Sequence, residues 1–228
     1  MKNIILFILT IYVAVIVISC KKETTTEKVM QQKPQYYQTL DEVSKKAKSD
    51  LQEVLKLDKD IKLNIDAKEL DQSNPQGSVK HYLVDFNKFI SNDSIKDFKG
   101  LSTDDGVSIV PFVLGNKIVA SATVNKDQNG WAVGGLSNDK ITGDLNKVKQ
   151  ILKETPKYEI TYFEIPNIDA HIYQVDVDNN VRYFTDYKNI FSIEKEIRLP
   201  DLVKVLKADA LDFQKKYGEE LKKGKLVK

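Results

Sequence analysis

The stretch from 107 to 136 constrains the fold most, because it holds three β-rich runs separated by two glycine-containing turns. Gly115-Asn116 suits a type II′ turn and Asn129-Gly130 a type I′ turn, and both types connect antiparallel strands. Pro111, in the first run, cannot donate a ladder hydrogen bond, so we expect an edge strand or a bulge there. The segment therefore predicts a three-stranded meander.

A second group of strand patterns lies between 158 and 187, in the runs YEITYFEI, AHIYQVDV and VRYFTDY. Asn179-Asn180 marks the last of their turns, because asparagine tolerates turn conformations. Alternation of apolar residues at Tyr82, Val84 and Phe86 predicts one further strand earlier in the chain.

Three amphipathic patterns predict helices. The sequence from Thr39 to Glu42 has the form of a capping box, and the apolar stripe that follows it extends to about Leu57. Asp144 is a plausible N-cap for a second helix, which Pro156 ends. Pro200 opens the last helix, where its missing amide hydrogen costs nothing.

The resulting order is helix, several strands, helix, three strands, helix, with short hairpin connections. This order predicts an α+β fold of antiparallel meander sheets covered by amphipathic helices. It also fits two halves, each a helix followed by a meander, although no residue-level repeat links them. Because no Ser/Pro/Gly-rich linker interrupts residues 39–228, we expect a single domain there.

Charge and residue types narrow the function. The 35 basic and 33 acidic side chains nearly cancel, which gives no electrostatic reason to expect a nucleic-acid partner. There is no Gly-x-Ser-x-Gly motif, and the two histidines are His81 and His171. His171 and Asp169 could belong to a Ser-His-Asp triad, but nothing in the sequence selects the serine. His81 and Asp85 would lie on one face of an extended strand. We favour a structural role for both histidines and predict no catalytic residue and no cofactor.

Two acidic loops invite comparison with calcium sites. Residues 125–130 and 176–180 open like an EF-hand loop, but the first has Leu136 where the bidentate glutamate belongs, and the second has Val181 in place of the glycine. Both loops lie where hairpin turns are expected. We therefore predict no metal site.

Aromatic side chains are frequent in the last three strands, and packing in the core is favoured over an exposed face that binds sugars or peptides. The residues concerned are Tyr158, Tyr162, Phe163, Tyr173, Tyr183, Phe184 and Tyr187.

The N-terminus has a different character. An uncharged apolar run, residues 4–19, follows Lys2 and ends at Cys20, the single cysteine of the chain. The sequence from Val17 to Cys20 resembles a bacterial lipobox, in the looser form of Bacteroidetes-like lipoproteins because Ile18 replaces a small residue. The resemblance implies that residues 1–19 are a lipoprotein signal peptide and that Cys20 carries a diacylglyceryl group and palmitate. An uncleaved anchor or an ordinary signal peptide remains the alternative.

Residues 20–38 are polar and show no periodicity, so we expect a flexible tether behind the lipidated cysteine. The sequence CKKE faintly resembles the export tag of surface lipoproteins. Together these features predict a protein of the cell envelope, attached through its lipid to the outer membrane on the periplasmic or the surface face. We favour a non-enzymatic module that binds a protein or a glycan. The alternative is a lipid-anchored hydrolase, which a pocket holding His81 or His171 beside a carboxylate would favour.

Overall fold

The computed structural model describes residues 35–57, 64–136, 139–155, 157–178 and 180–222. The predicted signal peptide, Cys20 and most of the predicted tether lie outside the described residues. Among the described residues, no helix is both long and apolar enough to cross a membrane.

Helices and strands follow in an order that confirms the α+β prediction. The helices are α1 Leu40–Leu57, α2 Ala67–Gln72, α3 Phe86–Ser91, α4 Asp139–Ile151 and α5 Leu199–Lys222. The strands are β1 Asn74–Pro75, β2 Val79–Val84, β3 Ser102–Thr103, β4 Val107–Leu114, β5 Lys117–Asp127, β6 Gly130–Leu136, β7 Glu159–Ile165, β8 Ala170–Val177 and β9 Asn180–Phe184. Short 3₁₀ helices span Lys99–Leu101, Pro166–Ile168 and Tyr187–Asn189.

All nine strands belong to one mixed sheet. Seven of them follow the order β6-β5-β4-β2-β7-β8-β9, while β1 pairs with β4 and β3 pairs with β2 beside this path. The predicted meanders β4–β6 and β7–β9 are both present and antiparallel. They are joined by a parallel pair, β2 with β7, in which His81 lies opposite Tyr162. The sheet is therefore mostly antiparallel, as predicted, and this one parallel pair was not predicted. A parallel pair needs a long crossover, and the whole first meander and α4 supply it.

The predicted capping box starts α1. The Thr39 hydroxyl accepts a hydrogen bond from the Glu42 amide at 3.2 Å, and the Glu42 carboxylate accepts from the Thr39 amide at 3.2 Å. Just before it, Tyr37 exchanges two backbone hydrogen bonds with Trp131 of β6, at 2.7 and 2.8 Å. The last residues assigned to the tether therefore pack on the sheet, because they extend its β6 edge.

The first meander agrees with one turn prediction and corrects the other. At Gly115 the φ angle is +60° and at Asn116 it is not positive, as a type II′ turn requires. The second turn is not type I′, because its central residues, Gln128 and Asn129, lack the positive φ of that type. Gly130 instead begins β6, and glycine is needed there because a Cβ would lie 2.6 Å from the Tyr37 carbonyl oxygen.

Pro111 lies in an interior strand, since β4 pairs with β5 on one side and with β1 and β2 on the other. The predicted edge is therefore wrong, whereas a register shift directly after it, between Phe112 and Val113, agrees with the predicted bulge. Phe86 is also not part of a strand. Asp85 ends the extended segment and caps α3, accepting a hydrogen bond from the Lys88 amide at 3.0 Å.

Helices cover both faces of the sheet. Alternate residues of a strand face opposite ways, so neighbours in β7 contribute to different cores. On one face, α5 packs against Phe163 and Ile172, and α1 packs against Phe112. On the other face, α4 packs against Tyr162 and Tyr173. Of the seven aromatic residues in the second meander region, all but the half-buried Tyr158 are buried, which confirms the core-packing interpretation.

Candidate functional site

A cleft of about 230 Å³ opens on the α4 side of the second meander. Three segments form it: the start of α4, the turn that leads into β8, and the 3₁₀ helix after β9. The lining residues are Lys140, Ile168, Asp169, His171, Asp186, Tyr187, Lys188 and Asn189. Most of these side chains are polar, so the cleft is the polar concave surface that the fold places beside one of the two histidines.

His171 is held at both ring nitrogens. Its Nδ1 is hydrogen-bonded to the Tyr162 hydroxyl, and its Nε2 lies 3.1 Å from Asp169 Oδ1. Tyr162 is only 1% exposed, and burial raises the pKa of its phenol far above the usual value. The hydroxyl therefore stays protonated and can donate to Nδ1, which places the ring proton on Nε2, facing Asp169.

A second set of hydrogen bonds joins Lys140 and Asp186, which line the cleft, to the buried side chains of Asp144 and Tyr173. The Lys140 ammonium donates to both oxygens of Asp186 at 2.6 Å and to Asp144 Oδ2 at 3.1 Å. The Tyr173 hydroxyl donates to the same Asp144 oxygen at 3.3 Å. Burial has the largest single effect on the pKa of Lys140 and lowers it. The hydrogen bonds to Asp186 and Asp144 together outweigh burial, so the pKa is raised. Burial also raises the pKa of the Asp144 carboxyl, which Lys140 offsets only in part.

Asp144 corrects the sequence analysis. It was expected to cap the second helix, but α4 begins five residues earlier, at Asp139, and Asp144 lies inside the helix with 3% exposure. A buried carboxylate needs hydrogen-bond partners. Lys140, one helical turn before it, and Tyr173 of β8 supply them.

Hydrogen bonds also tie the last 3₁₀ helix, which forms one wall of the cleft, to α5. The Tyr187 hydroxyl and the Lys188 ammonium both donate to Asp209 Oδ2 of α5, each at 2.8 Å. Burial first, and then the hydrogen bond to Asp209, raise the pKa of Tyr187 to about 12. The two cations of the cleft, Lys140 and Lys188, are thus both paired with carboxylates.

Backbone strain concentrates at this cleft. Among the described residues, four non-glycine residues have a positive φ, and three of them line the cleft: Asp169 at 51°, Lys188 at 48° and Asn189 at 56°. Asparagine and aspartate tolerate this conformation, whereas lysine rarely adopts it. Strained conformations persist where the surroundings enforce them, and they cluster at functional sites.

His81 is near this cleft but does not line it. Its ring centroid is 4.8 Å from that of Tyr162, and its Nε2 lies 3.0 Å from Glu164 Oε2. Nε2 makes no regular hydrogen bond to any described residue, although the Glu164 carboxylate lies within ion-pair distance. His81 at this close range lowers the pKa of the Glu164 carboxyl, against the opposing effect of burial. His81 and Asp85 were expected on one face of a strand, but β2 ends at Val84 and Asp85 caps α3.

The Glu164 contact predicts a pH-dependent contribution to stability. A carboxyl whose folded pKa lies below the unfolded value of 4.5 stabilises the fold above that pH, and this contribution is lost as the pH falls through the folded pKa. We expect Glu164→Gln to lower the free energy of unfolding by about 1 kcal/mol at pH 7. The deficit relative to the wild type should shrink below pH 4.5 in urea titrations at successive pH values.

The exposed Glu159, on the same strand, provides the matched control as Glu159→Gln. If the two variants lose the same stability at every pH, the contact between His81 and Glu164 does not stabilise the fold.

The acidic loops act as hairpin turns. Asp127 accepts hydrogen bonds from the Asn129 amide at 2.7 Å and from the Tyr36 hydroxyl at 3.0 Å. Asp176 accepts from the Gln174 side chain at 3.1 and 3.2 Å. Within the described parts of the chain, no group of three or more His, Cys, Asp or Glu side chains is arranged to hold a metal ion.

The sequence analysis named His171 and Asp169 but missed the charged residues Lys140, Asp186 and Lys188 of the cleft, and it gave Asp144 the role of a helix cap. One signal was available for Lys140 and Asp144, whose spacing of four residues places opposite charges on one helical face. Comparison with known proteins finds no family model, no curated protein and no solved structure that matches this chain.

Proposed function

We propose that this chain is a lipid-anchored protein of the cell envelope, and that its folded domain binds a glycan through the cleft at His171. The anchor rests on the lipobox-like sequence that ends at Cys20. A diacylated cysteine supplies two acyl chains, and two chains hold a protein stably on a membrane. The outer membrane is the membrane that the Bacteroidetes-like signal favours.

The glycan proposal rests on the salt bridges of the cleft, which favour an uncharged ligand over an anionic one. Lys140 is bound to Asp186, and Lys188 is bound to Asp209, so neither cation is free to attract an anion. The lining still offers acceptors at Asp169 and both donors and acceptors at Asn189. A sugar suits this set because each of its hydroxyl groups both donates and accepts.

The size of the cleft sets the scale of the ligand. Pockets for drug-sized ligands measure about 300–1,000 Å³. A cleft of about 230 Å³ is smaller and fits one sugar residue of a longer chain. The buried aromatic side chains of the second meander region are unavailable to a protein and to a glycan alike, so it is the polar lining of the cleft that favours a glycan.

A hydrolase is the weaker alternative, even though His171 does lie in a cleft beside a carboxylate. Both ring nitrogens of His171 are already occupied, by Tyr162 and by Asp169, so neither is free to accept a proton from a substrate. The hydroxyl beside this histidine belongs to Tyr162, which is buried and cannot reach a ligand. We therefore favour binding over catalysis.

Binding can be tested with Asp169, whose side chain is 93% exposed at the cleft. We expect neutral monosaccharides and their methyl glycosides, screened by saturation-transfer NMR against the full-length protein in detergent, to include at least one that binds. Asp169→Asn should weaken that binding about tenfold, because one charge-assisted hydrogen bond is lost.

Asp178→Asn is the matched control, since Asp178 is also an exposed aspartate with positive φ but lies in the β8–β9 turn. Equal weakening in both variants would show that the sugar binds elsewhere. A screen in which no sugar receives saturation from the protein would overturn the proposal.

A further inference from the structure

A second cavity lies where the pairing of β4 is interrupted. β4 pairs with β2 up to Ile109 and with β1 from Phe112 onward. Between these two stretches, residues 76–78 belong to no strand: the Gln76 amide still donates to the Pro111 carbonyl at 3.0 Å, but Gly77 takes a left-handed conformation (φ 65°). Pro111 lies opposite the loop, where a strand residue without an amide hydrogen is tolerated. The interruption leaves an opening between the sheet and α4.

The cavity measures about 310 Å³, and its walls are mainly apolar. The apolar lining residues come from four strands and from α4, and they are Val79, Pro111, Val113, Ile118, Leu145, Tyr158 and Ile160. Its volume is at the lower end of the range for small-molecule sites, about 300–1,000 Å³. An apolar cavity of this size favours a compact apolar ligand body.

Lys149 of α4 supplies a positive charge to the apolar lining. Its ammonium donates to the Gln76 side-chain oxygen at 3.2 Å, and no salt bridge joins it to any described carboxylate. Glu159 lies at the same mouth but is exposed and does not pair with it. Burial of the ammonium lowers the pKa of Lys149. An anionic group placed here would complete the hydrogen bonding of a cation that has lost part of its hydration.

We infer that this cavity binds a small amphipathic carboxylate, with its apolar body between α4 and the sheet and its carboxylate on Lys149. The apolar lining suits the apolar part of the ligand. The Lys149 ammonium, which forms no salt bridge with a described carboxylate, suits the ligand's carboxylate. The site is separate from the cleft at His171, since the two share no lining residue. The inference therefore stands whether or not the cleft binds glycans.

A head-group series tests the inference on the unmodified full-length protein. Octanoate, octanol and octylamine share one apolar body and differ in the charge of the head group. We expect saturable amide shifts at Val79, Val113 and Leu145 with octanoate, binding by octanol about tenfold weaker, and no binding by octylamine, as the loss of one charge-assisted hydrogen bond implies. Equal binding of the three, or none by octanoate, would overturn the inference.

Two variants of α4 test the role of the lysine. Lys149→Gln should weaken octanoate binding about tenfold, with little effect on octanol binding. Lys147→Gln, which removes an exposed charge two residues away on the same helix, is the control and should leave both affinities unchanged. A Lys149→Gln protein that binds octanoate as tightly as the control would show that the carboxylate does not contact this lysine.

Discussion

Phe98→Ala is expected to lower the free energy of unfolding by about 3–5 kcal/mol, the usual cost of removing a buried phenylalanine. Phe98 is 0% exposed, and its ring contacts the rings of Phe89, Phe163 and Tyr183 at centroid distances of 6.3, 5.8 and 5.8 Å. Since domains are stable by about 5–15 kcal/mol, this loss is a large fraction of the total. Urea denaturation followed by the circular dichroism of the helices measures it.

The effect should be large because of where Phe98 lies. It belongs to the segment between α3 and the 3₁₀ helix at Lys99–Leu101, and its ring connects this segment to β7 and β9. Phe191→Ala is the matched control, since Phe191 packs against the same core but is only partly buried. We expect it to cost less than half as much. Equal losses at both positions would mean that Phe98 has no special place in the core.

Local patterns predicted the local structure. The capping box at Thr39 and the Gly115-Asn116 turn involve residues close in sequence, and the physical chemistry of so short a segment decides them. The parallel pairing of β2 with β7 joins residues 81 positions apart, such as Lys80 and Thr161. No short segment contains that information, so the sequence predicted the meanders but not how they join.

Asp144 shows a conflict between two local rules. Its position before Leu145 suits a helix cap, but residues 139–143 also form helix, and the carboxylate then falls inside. The fold tolerates this because Tyr173, on a strand nearly 30 residues away in sequence, donates a hydrogen bond to it. Sequence analysis cannot supply a partner that only the tertiary packing brings close.

The polar site follows from strand register in the same way. In the β7–β8 hairpin, Glu164 lies directly opposite His171, and Tyr162 lies diagonally across from it on the same face. The parallel partner β2 then adds His81 to this face. Sequence analysis found the histidines and the strands separately, but a shift of one residue in register would have turned every one of these side chains to the other face.

Cys20→Ala is expected to remove the lipid, and either to release the protein from the membrane or to stall its processing. Each buried methylene contributes about 0.8 kcal/mol to membrane binding, so two acyl chains supply almost the whole affinity. Cells fed radiolabelled palmitate should label the wild type and not the variant. The variant should move from the membrane pellet to the soluble fraction, or remain as the unprocessed form.

Ser19→Ala is the matched control, since it keeps a small residue directly before the cysteine, and it should be labelled and anchored like the wild type. The two readouts separate the lipoprotein from an anchor made by residues 4–19. An uncleaved anchor would keep Cys20→Ala in the membrane and leave both forms without label. Equal labelling of Cys20→Ala and the wild type would contradict lipidation at Cys20, because the chain contains no other thiol to carry the diacylglyceryl group.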